Sequence, residues 1–234
     1  MRRAIITGGA RGIGWGIANA MLEAGYAVTV SGLTKEEVAS VPVREHLDAV
    51  QLDVTSDAQV EKLLARFDSL DVLVNCAGMI KRGAEYDIET FKMVVDVNLT
   101  GTMRMCIAAR PNLAKSKNAA IVNTASMLSY FGGPLVPAYA ASKGGIVQLT
   151  KSLAVAWAGE GIRVNAIAPG WITTDMTRAI AGDEARSAAI LARTPLKRWG
   201  EPSDIGGTVV YLCSEAARFV TGTVLPIDGG YAAM

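Results

Sequence analysis

Tyr139 and Lys143 stand four positions apart in "AYAASKGG" (residues 138–145), a segment that is otherwise small and apolar. Four residues are about one helical turn, so the phenol and the ammonium would project from one face of a helix. A phenol has a pKa of about 10 and is a poor base until a nearby positive charge favours the phenolate. Spacing alone favours the ordinary explanation, a tyrosine and a lysine on a solvated helix face, and the rest of the chain must decide whether the pair is a tuned acid and base.

A second feature is the glycine-rich turn "TGGARGIG" at residues 7–14, which joins an apolar strand pattern to a helical one. Glycines let the backbone approach a phosphate, and a helix N-terminus supplies free N–H groups and partial positive charge. The turn therefore predicts a dinucleotide site. Its spacing differs from the G-x-G-x-x-G fingerprint, because Ile17 stands where that pattern has its third glycine.

Composition removes several classes of function. The chain has 234 residues, half of them apolar, and a net charge of +1, so neither nucleic acid nor membrane is an expected partner. Cys76, Cys106 and Cys213 are far apart, and His46 is the single histidine, which predicts reduced thiols and no metal site. With no leader segment and no apolar run long enough to span a bilayer, we expect a cytoplasmic protein.

The elements that must position these residues alternate along the chain. Seven apolar runs have strand character: "RAIIT", "AVTVS", "AVQLDV", "DVLVN", "AAIVNTAS", "IRVNAIAP" and "TVLPID". Helical periodicity lies between them at residues 13–24, 57–67, 88–115, 137–158 and 202–214. Such alternation predicts one α/β domain over residues 1–234, with a doubly wound (Rossmann) parallel sheet covered by helices on both faces. Residues 171–200 break the rhythm and are expected to form a substrate lid.

Several motifs together are similar to those of the short-chain dehydrogenase/reductase family, in its order and over nearly the whole chain. They are "TGGARGIG" at 7–14, "NCAG" at 75–78, Asn98 in "VNLTG", Ser126 in "VNTASM", Tyr139 and Lys143 in "YAASK", "RVNAIAPGWITT" at 163–174 and "LPIDGG" at 225–230. The resemblance implies that Tyr139 is the acid/base and Ser126 holds the substrate oxygen. It also implies that Asn98 interrupts its helix and anchors a water in a proton relay to Lys143.

The same resemblance implies a set of cofactor contacts. Those residues are Gly8, Arg11, Gly12, Ile13, Gly14, Asp53, Val54, Asn75, Ala77, Gly78, Tyr139, Lys143, Pro169, Gly170, Ile172 and Thr174. Asp53 matches a residue beside the adenine ring, and Lys143 is expected to bond the nicotinamide ribose. Asn75 has a structural alternative, since the family asparagine there also holds the central sheet together.

The choice between NAD and NADP stays open at the end of the second strand. An NAD-preferring protein usually has an acid there for the ribose 2′-OH, whereas Gly32 occupies that position here. Arg11 and Lys35 could pair with a 2′-phosphate, but Arg11 also fits an NAD user and Lys35 could be solvated. The stretch 32–48 is short for the family, which suggests a trimmed helix.

The activity that these features predict is hydride transfer between a nicotinamide cofactor and a secondary alcohol or ketone. A small polyol or sugar acid is favoured by analogy with "NTASM", "FGG" and "PAYAASKGG" in related dehydrogenases. Two alternatives are a cofactor-binding regulatory protein without turnover and a sugar-nucleotide epimerase or dehydratase. The complete Asn98, Ser126, Tyr139 and Lys143 set disfavours the first, and chain length and glycine spacing disfavour the second.

The substrate mouth and the assembly are less defined by the sequence. Residues expected at the mouth are Met127, Leu128, Tyr130, Phe131, Pro134 and Trp171. Lid cations that could recruit a carboxylate, or simply form a solvated helix face, are Arg178, Arg186, Arg193, Lys197 and Arg198. The resemblance also implies a homotetramer packed through the helices at 88–115 and 137–158 and through the C-terminal strand region. The small residues of "YAASKGGIVQLTKSLAVAWAG" would equally suit burial within one subunit.

Overall fold

Strands of buried apolar residues form the centre of the computed structural model, which describes residues 1–233. Within that range the strands are β1 (Arg3–Thr7), β2 (Ala27–Gly32), β3 (Leu47–Gln51), β4 (Val72–Asn75), β5 (Ala119–Thr124), β6 (Ile162–Pro169) and β7 (Val224–Ile227). They pair in parallel in the order β3-β2-β1-β4-β5-β6-β7. The order reverses between β1 and β4, so the predicted doubly wound sheet is confirmed, with its crevice above those two strands.

Helices cover both faces of this sheet. They are α1 (Gly12–Glu23), α2 (Lys35–Ala39), α3 (Asp57–Leu64), α4 (Ile88–Val95), α5 (Gly101–Leu113), α6 (Pro137–Trp157), α7 (Arg178–Ala181), α8 (Glu184–Arg193) and α9 (Pro202–Cys213) among residues 1–233. Side chains of α1 and α9 pack on one face of the sheet, and those of α3, α5 and α6 pack on the other. None of the helices in that range combines the length and the apolar character that a membrane span requires.

Three segments refine the predicted element boundaries. The helix expected at 88–115 is α4 and α5 joined by a π-helical turn, Asp96–Thr100. The third strand ends at Gln51 rather than 54, so Asp53 lies in the turn that follows it. The stretch 32–48 keeps one short helix, α2, whose N-terminus is capped by the Thr34 hydroxyl.

Candidate active site

All strands run in one direction, so the segments that follow them converge at one edge of the sheet. The glycine loop at 7–14 follows β1, and Asn75–Gly78 follows from the end of β4. Ser126 lies just beyond β5, and Pro169 ends β6 and leads into the lid. This shared carboxyl edge brings the predicted cofactor and catalytic segments to the same crevice.

Helix α6 positions the tyrosine and the lysine. It begins at Pro137, whose fixed φ suits the first helical turn, and Tyr139 follows in that turn. The Lys143 side chain is buried and its Nζ donates a hydrogen bond to the Thr124 carbonyl at the end of β5 (2.6 Å). Lys143 Nζ lies 5.6 Å from the centroid of the Tyr139 ring. The predicted one-turn pairing is therefore present, and a strand carbonyl fixes its lysine.

Ser126 is held by a capped turn between β5 and the catalytic helix. Its backbone is extended, and its hydroxyl accepts a hydrogen bond from the Leu128 N–H (3.1 Å). The Ser129 hydroxyl accepts from the Ser126 N–H (3.2 Å) and donates to the Lys143 carbonyl (2.7 Å). Ser129, which the motif comparison did not single out, thus ties the backbone of Ser126 to that of the lysine.

Asn98 lies fully buried in the π-helical turn. Its Oδ1 accepts from the Met79 N–H (2.8 Å), and its Nδ2 donates to the Met79 carbonyl (2.9 Å) and to the Ser142 hydroxyl (3.1 Å). Single π-helical turns inside α-helices are frequent at functional sites. The turn lets Asn98 connect the segment after β4 to α6. Its role in a water relay stays a prediction.

Burial dominates the electrostatics of the pair. It raises the pKa of the Tyr139 phenol, whereas the Ser126 hydroxyl, within hydrogen-bonding reach, and the nearby Arg82 guanidinium lower it. Burial also lowers the pKa of Lys143 to about 8. The sequence predicts that Lys143, together with the positive nicotinamide of the oxidised cofactor, favours the phenolate. In the protein without that cofactor, desolvation is the largest influence on the pKa of both groups.

Glu85 is a functional candidate that no motif indicated. It is only 1% exposed and lies in the segment between β4 and α4. One carboxylate oxygen accepts from the Lys81 N–H (2.9 Å) and the other from the Tyr139 N–H (2.8 Å), in the first turn of α6. A carboxylate there satisfies a helical N–H and complements the helix dipole. Glu85 therefore fixes the backbone that carries the phenol, and its charge raises the Tyr139 pKa.

The loop at 7–14 has the geometry of a phosphate cradle. Gly8 has a φ of +63°, and a Cβ there would lie 2.8 Å from the Ala77 Cα. A Cβ at Gly14 would lie 2.3 Å from the Gly8 carbonyl oxygen. No side chain caps the start of α1 at Arg11, so its first N–H groups are available to an anion. The residues present fit a dinucleotide pyrophosphate.

Other predicted cofactor residues lie around this cradle. The Asp53 carboxylate accepts from the Thr55 N–H (2.9 Å) and hydroxyl (2.7 Å), and Val54 is buried against α5. The Ala77 N–H donates to the Thr7 hydroxyl (3.1 Å). Asn75 differs, because its side chain points into the protein and donates to Asn123 Oδ1 (2.9 Å). That contact favours its structural alternative.

The turn after β6 connects the lid to the cradle. The Gly170 N–H donates to the Ile227 carbonyl (2.9 Å), which continues the pairing of β6 with β7 after Pro169. Ile172 is buried, and the Thr174 side chain would contact a Cβ placed on Gly12 at 3.5 Å. The start of the predicted lid segment, residues 171–200, therefore lies directly over the glycine loop.

Lid cations have partners within the protein. Three arginines form ion pairs: Arg178 with Asp175, Arg186 with Asp183 (3.2 Å) and Arg198 with Asp204 (2.7 Å). Lys197 donates to the Ala192 carbonyl (2.8 Å). The Arg193 guanidinium lies over the rings of Phe131 (4.9 Å) and Tyr231 (4.3 Å). Arg178, Arg186 and Arg198 are exposed, as a solvated helix face predicts, whereas Arg193 is stacked on two rings. Nearby, the rings of Trp171 and Trp199 meet edge to face at 5.7 Å.

The residues expected at the mouth differ in exposure. Met127 is buried, Leu128, Phe131 and Trp171 are partly buried, and Tyr130 and Pro134 are exposed. The crevice wall is thus mainly apolar. Among residues 1–233, no group of three or more His, Cys, Asp or Glu side chains is arranged to hold a metal ion.

Known proteins resemble this chain over its whole length. A family model described as enoyl-(acyl carrier protein) reductase matches residues 8–232. The chain is 41% identical to a 2-dehydro-3-deoxy-D-gluconate 5-dehydrogenase of Pseudoalteromonas atlantica, over 97% of this chain and 94% of that protein. It is 35% identical to a 3-oxoacyl-[acyl-carrier-protein] reductase of Staphylococcus epidermidis, over 98% of each.

A solved structure gives the same result for the fold. The crystal structure of a gluconate 5-dehydrogenase from Burkholderia cenocepacia, in complex with NADP and tartrate, superimposes with a TM-score of 0.94. The two sequences are 33% identical, and the match covers 100% of this chain and 96% of that one. The chain therefore belongs to the short-chain dehydrogenase/reductase family and is an NAD(P)-dependent oxidoreductase acting on CH–OH groups.

Proposed function

We propose that the protein interconverts a secondary alcohol and a ketone on a small sugar acid. The observation that carries the proposal is the convergence of Ser126, the Tyr139 phenol and the Lys143 ammonium at the carboxyl edge of the sheet. Relatives named as sugar-acid dehydrogenases support the substrate class.

The protein's own residues supply binding and proton transfer. Ser126 donates a hydrogen bond to the substrate oxygen and holds it beside Tyr139. In oxidation Tyr139 takes the proton of the substrate hydroxyl while hydride leaves the carbon that bears this hydroxyl. In reduction Tyr139 returns the proton to the oxygen. Nicotinamide, when bound, accepts or donates the hydride, and its oxidised form adds a positive charge. Lys143 is expected to hold the nicotinamide ribose and to relay the proton through water at Asn98.

Arg82 is the cation that we assign to the substrate carboxylate. It is exposed, and it lies between Lys81 and Glu85, whose carboxylate accepts from the Tyr139 N–H and so places this segment beside the start of α6. Its charge lowers the pKa of the Tyr139 phenol. The lid cations, which the sequence also offered for this role, are already paired or stacked within the protein. A guanidinium also matches carboxylate geometry with two parallel hydrogen bonds.

A substrate series with one matched pair of variants tests this proposal. Purified enzyme is assayed with sugar acids and with the corresponding neutral polyols. We expect Arg82→Met to raise the KM for the acids about tenfold or more and to leave the KM for the polyols little changed. Lys81→Met removes the neighbouring exposed charge and should have little effect on either. Equal effects of Arg82→Met on acids and polyols would contradict the assignment.

A second candidate substrate is a 3-oxoacyl thioester. It is favoured by the 35% identity to the 3-oxoacyl-[acyl-carrier-protein] reductase of Staphylococcus epidermidis. The same assay includes an acetoacetyl thioester with NADH and NADPH. Turnover of the thioester with a higher kcat/KM than any sugar acid would replace the first substrate class with the second.

Assembly, location and the lid complete the proposal. Ile107 on α5 and Val155 on α6 are large exposed apolar side chains on the two helices expected to pack between subunits. We propose a homotetramer, which light scattering of the purified protein would check. The cytoplasmic location is consistent with three free cysteines. We further propose that residues 171–200 act as the lid of a single domain.

A further inference from the structure

The end of β2 contains an acid that does not come from the expected position. Gly32 ends the strand, and a Cβ placed on it would lie 2.8 Å from the Glu37 Cβ and 3.3 Å from the Ala10 Cβ. Both distances are closer than ordinary van der Waals contact. Because Gly32 has no side chain, Glu37 from α2 can occupy this space and pack against the end of β2 and the glycine loop.

Neighbouring backbone and one arginine hold the Glu37 carboxylate there. One oxygen accepts from the Leu33 N–H (2.6 Å), directly after β2. The other pairs with Arg11 Nε at 2.9 Å, and the side chain is only 24% exposed. The Glu37 N–H donates to the Thr34 hydroxyl (3.2 Å). Short as it is, α2 thus presents one fixed carboxylate toward the cradle.

This position is the one at which a dinucleotide-binding sheet receives the adenosine ribose. In such sheets an acid at the end of the second strand bonds the ribose 2′-OH and disfavours a 2′-phosphate. We propose that Glu37 supplies this carboxylate from α2 and makes the protein select NAD over NADP. The inference rests on dinucleotide binding and is independent of the proposed sugar-acid substrate.

Arg11 fits this account as a counter-ion. Besides Glu37, its guanidinium lies 3.6 Å from Asp175 Oδ2 in the lid. A 2′-phosphate would have to take Arg11 from two carboxylates while facing the negative charge of Glu37. Two structures of the same fold were crystallised with NADP, so the binding experiment compares both cofactors directly.

Equilibrium binding tests the inference without any substrate. Wild type, Glu37→Gln and the control Glu36→Gln are titrated with NADH and with NADPH, following the fluorescence of the reduced nicotinamide. Glutamine keeps the shape beside Gly32 and removes only the charge. We expect wild type to bind NADH more tightly, and Glu37→Gln to shift the ratio of the two Kd values toward NADPH by about tenfold or more. Glu36 is exposed, so its variant should keep the wild-type ratio.

A double variant identifies what takes the phosphate once the carboxylate is neutral. Adding Arg11→Met to Glu37→Gln should remove most of the gain in NADPH affinity. Tighter binding of NADPH than NADH by wild type would overturn the inference. So would an unchanged ratio in Glu37→Gln, or an equal shift in Glu36→Gln.

Discussion

The two ends of the crevice are built by different means. At the catalytic end, Lys143 and Asn98 are buried and bonded to the backbone of β5 and of the segment after β4. At the adenosine end, Glu37 and Arg11 form an ion pair on a five-residue helix and a surface loop. Both ends lie on the same sheet edge, but only the catalytic end is fixed by the protein's core.

This difference separates what the fold must preserve from what it can vary. Buried polar groups with backbone partners are costly to leave unpaired, so their geometry is narrowly defined. A surface ion pair contributes little to stability and can be exchanged without disturbing the core. Reaction chemistry at one end and cofactor choice at the other can therefore change independently. The predictions that follow test how strictly that division holds.

Replacing the phenol tests the catalytic end most directly. Tyr139→Phe removes the acid/base that we propose for hydride transfer, and we expect kcat to fall by about 10²–10⁴. The ring and its packing remain, so NADH affinity measured by fluorescence should be little changed. Retained turnover would break the assignment. A matching loss of NADH binding would show that the two ends are coupled.

Replacing the lysine tests the cost of burying charge at the catalytic end. Its pKa is about 8 in the folded protein, against an ordinary value of 10.5. Below pH 8 the lysine is charged in both states, and the folded state bears the full cost of burial. In the window between about pH 8 and pH 10.5 the folded state loses this proton while the unfolded state still holds it, so wild-type stability increases with pH.

We therefore expect the free energy of unfolding of Lys143→Met, relative to wild type, to decrease as pH rises through that window. The change is on the order of 3 kcal/mol at most. Denaturant unfolding at a series of pH values measures it, with Lys151→Met, an exposed lysine of the same helix, as the control. A pH-independent difference between Lys143→Met and wild type would contradict the burial of a titrating charge.

The catalytic end was largely predictable because its chemistry is bound to local spacing. Tyr139 and Lys143 are one turn apart in a helix that its own sequence predicts, and Ser126 follows a clear strand. The parallel sheet then brings them together without further information. The resemblance also indicated Asn98 and an interruption of its helix, and the structure shows that this interruption is a π-helical turn.

Glu85 and Glu37 could not be predicted in the same way. Glu85 is 54 residues from Tyr139, whose N–H donates a hydrogen bond to its carboxylate, and only the tertiary fold brings the two together. Glu37 appears in the sequence as one of two adjacent acids on a short polar helix. Its function depends on which of them faces Gly32, and the sequence does not specify that orientation. Long-range polar contacts are thus the part of the site that required the structure.

Glu85 sharpens the comparison, since it acts on Tyr139 without touching the reacting atoms. Glu85→Gln removes a negative charge that raises the Tyr139 pKa and weakens one of two backbone hydrogen bonds. We expect kcat to fall about tenfold and the acid limb of the oxidation pH profile to move to lower pH, since the phenol then ionises more easily.

Two variants distinguish this positioning role from general destabilisation. Glu85→Asp keeps the charge but shortens the reach, so it should lower kcat without moving the acid limb. Glu89→Gln removes an exposed carboxylate on α4 and should change neither quantity. A pH profile for Glu85→Gln that is unchanged in shape would limit Glu85 to a structural role.

The predicted lid, residues 171–200, gives the smallest expected effect. It tests whether a third region is held, like the adenosine end, by surface contacts that can change without disturbing the core. Arg193 joins α8 to Phe131 and Tyr231 through its stacked guanidinium, and its Nη1 donates to the Tyr231 hydroxyl (3.4 Å). Such contacts are worth about 0.5–1 kcal/mol when partly exposed. We therefore expect Arg193→Ala to raise the substrate KM a few-fold at nearly constant kcat.

A conservative variant separates stacking from charge at the same position. Arg193→Lys keeps the cation but loses the planar stack, so it should behave like Arg193→Ala if the guanidinium serves to hold the lid. If Arg193 instead bound a substrate carboxylate, Arg193→Lys would retain most of the affinity for sugar acids, and Arg193→Ala would lose it for the acids alone. Arg186→Ala, on the same helix and paired with Asp183, controls for removal of an exposed lid charge. Steady-state kinetics with an acid and a polyol distinguish these outcomes, because only the stacking role affects both substrates equally.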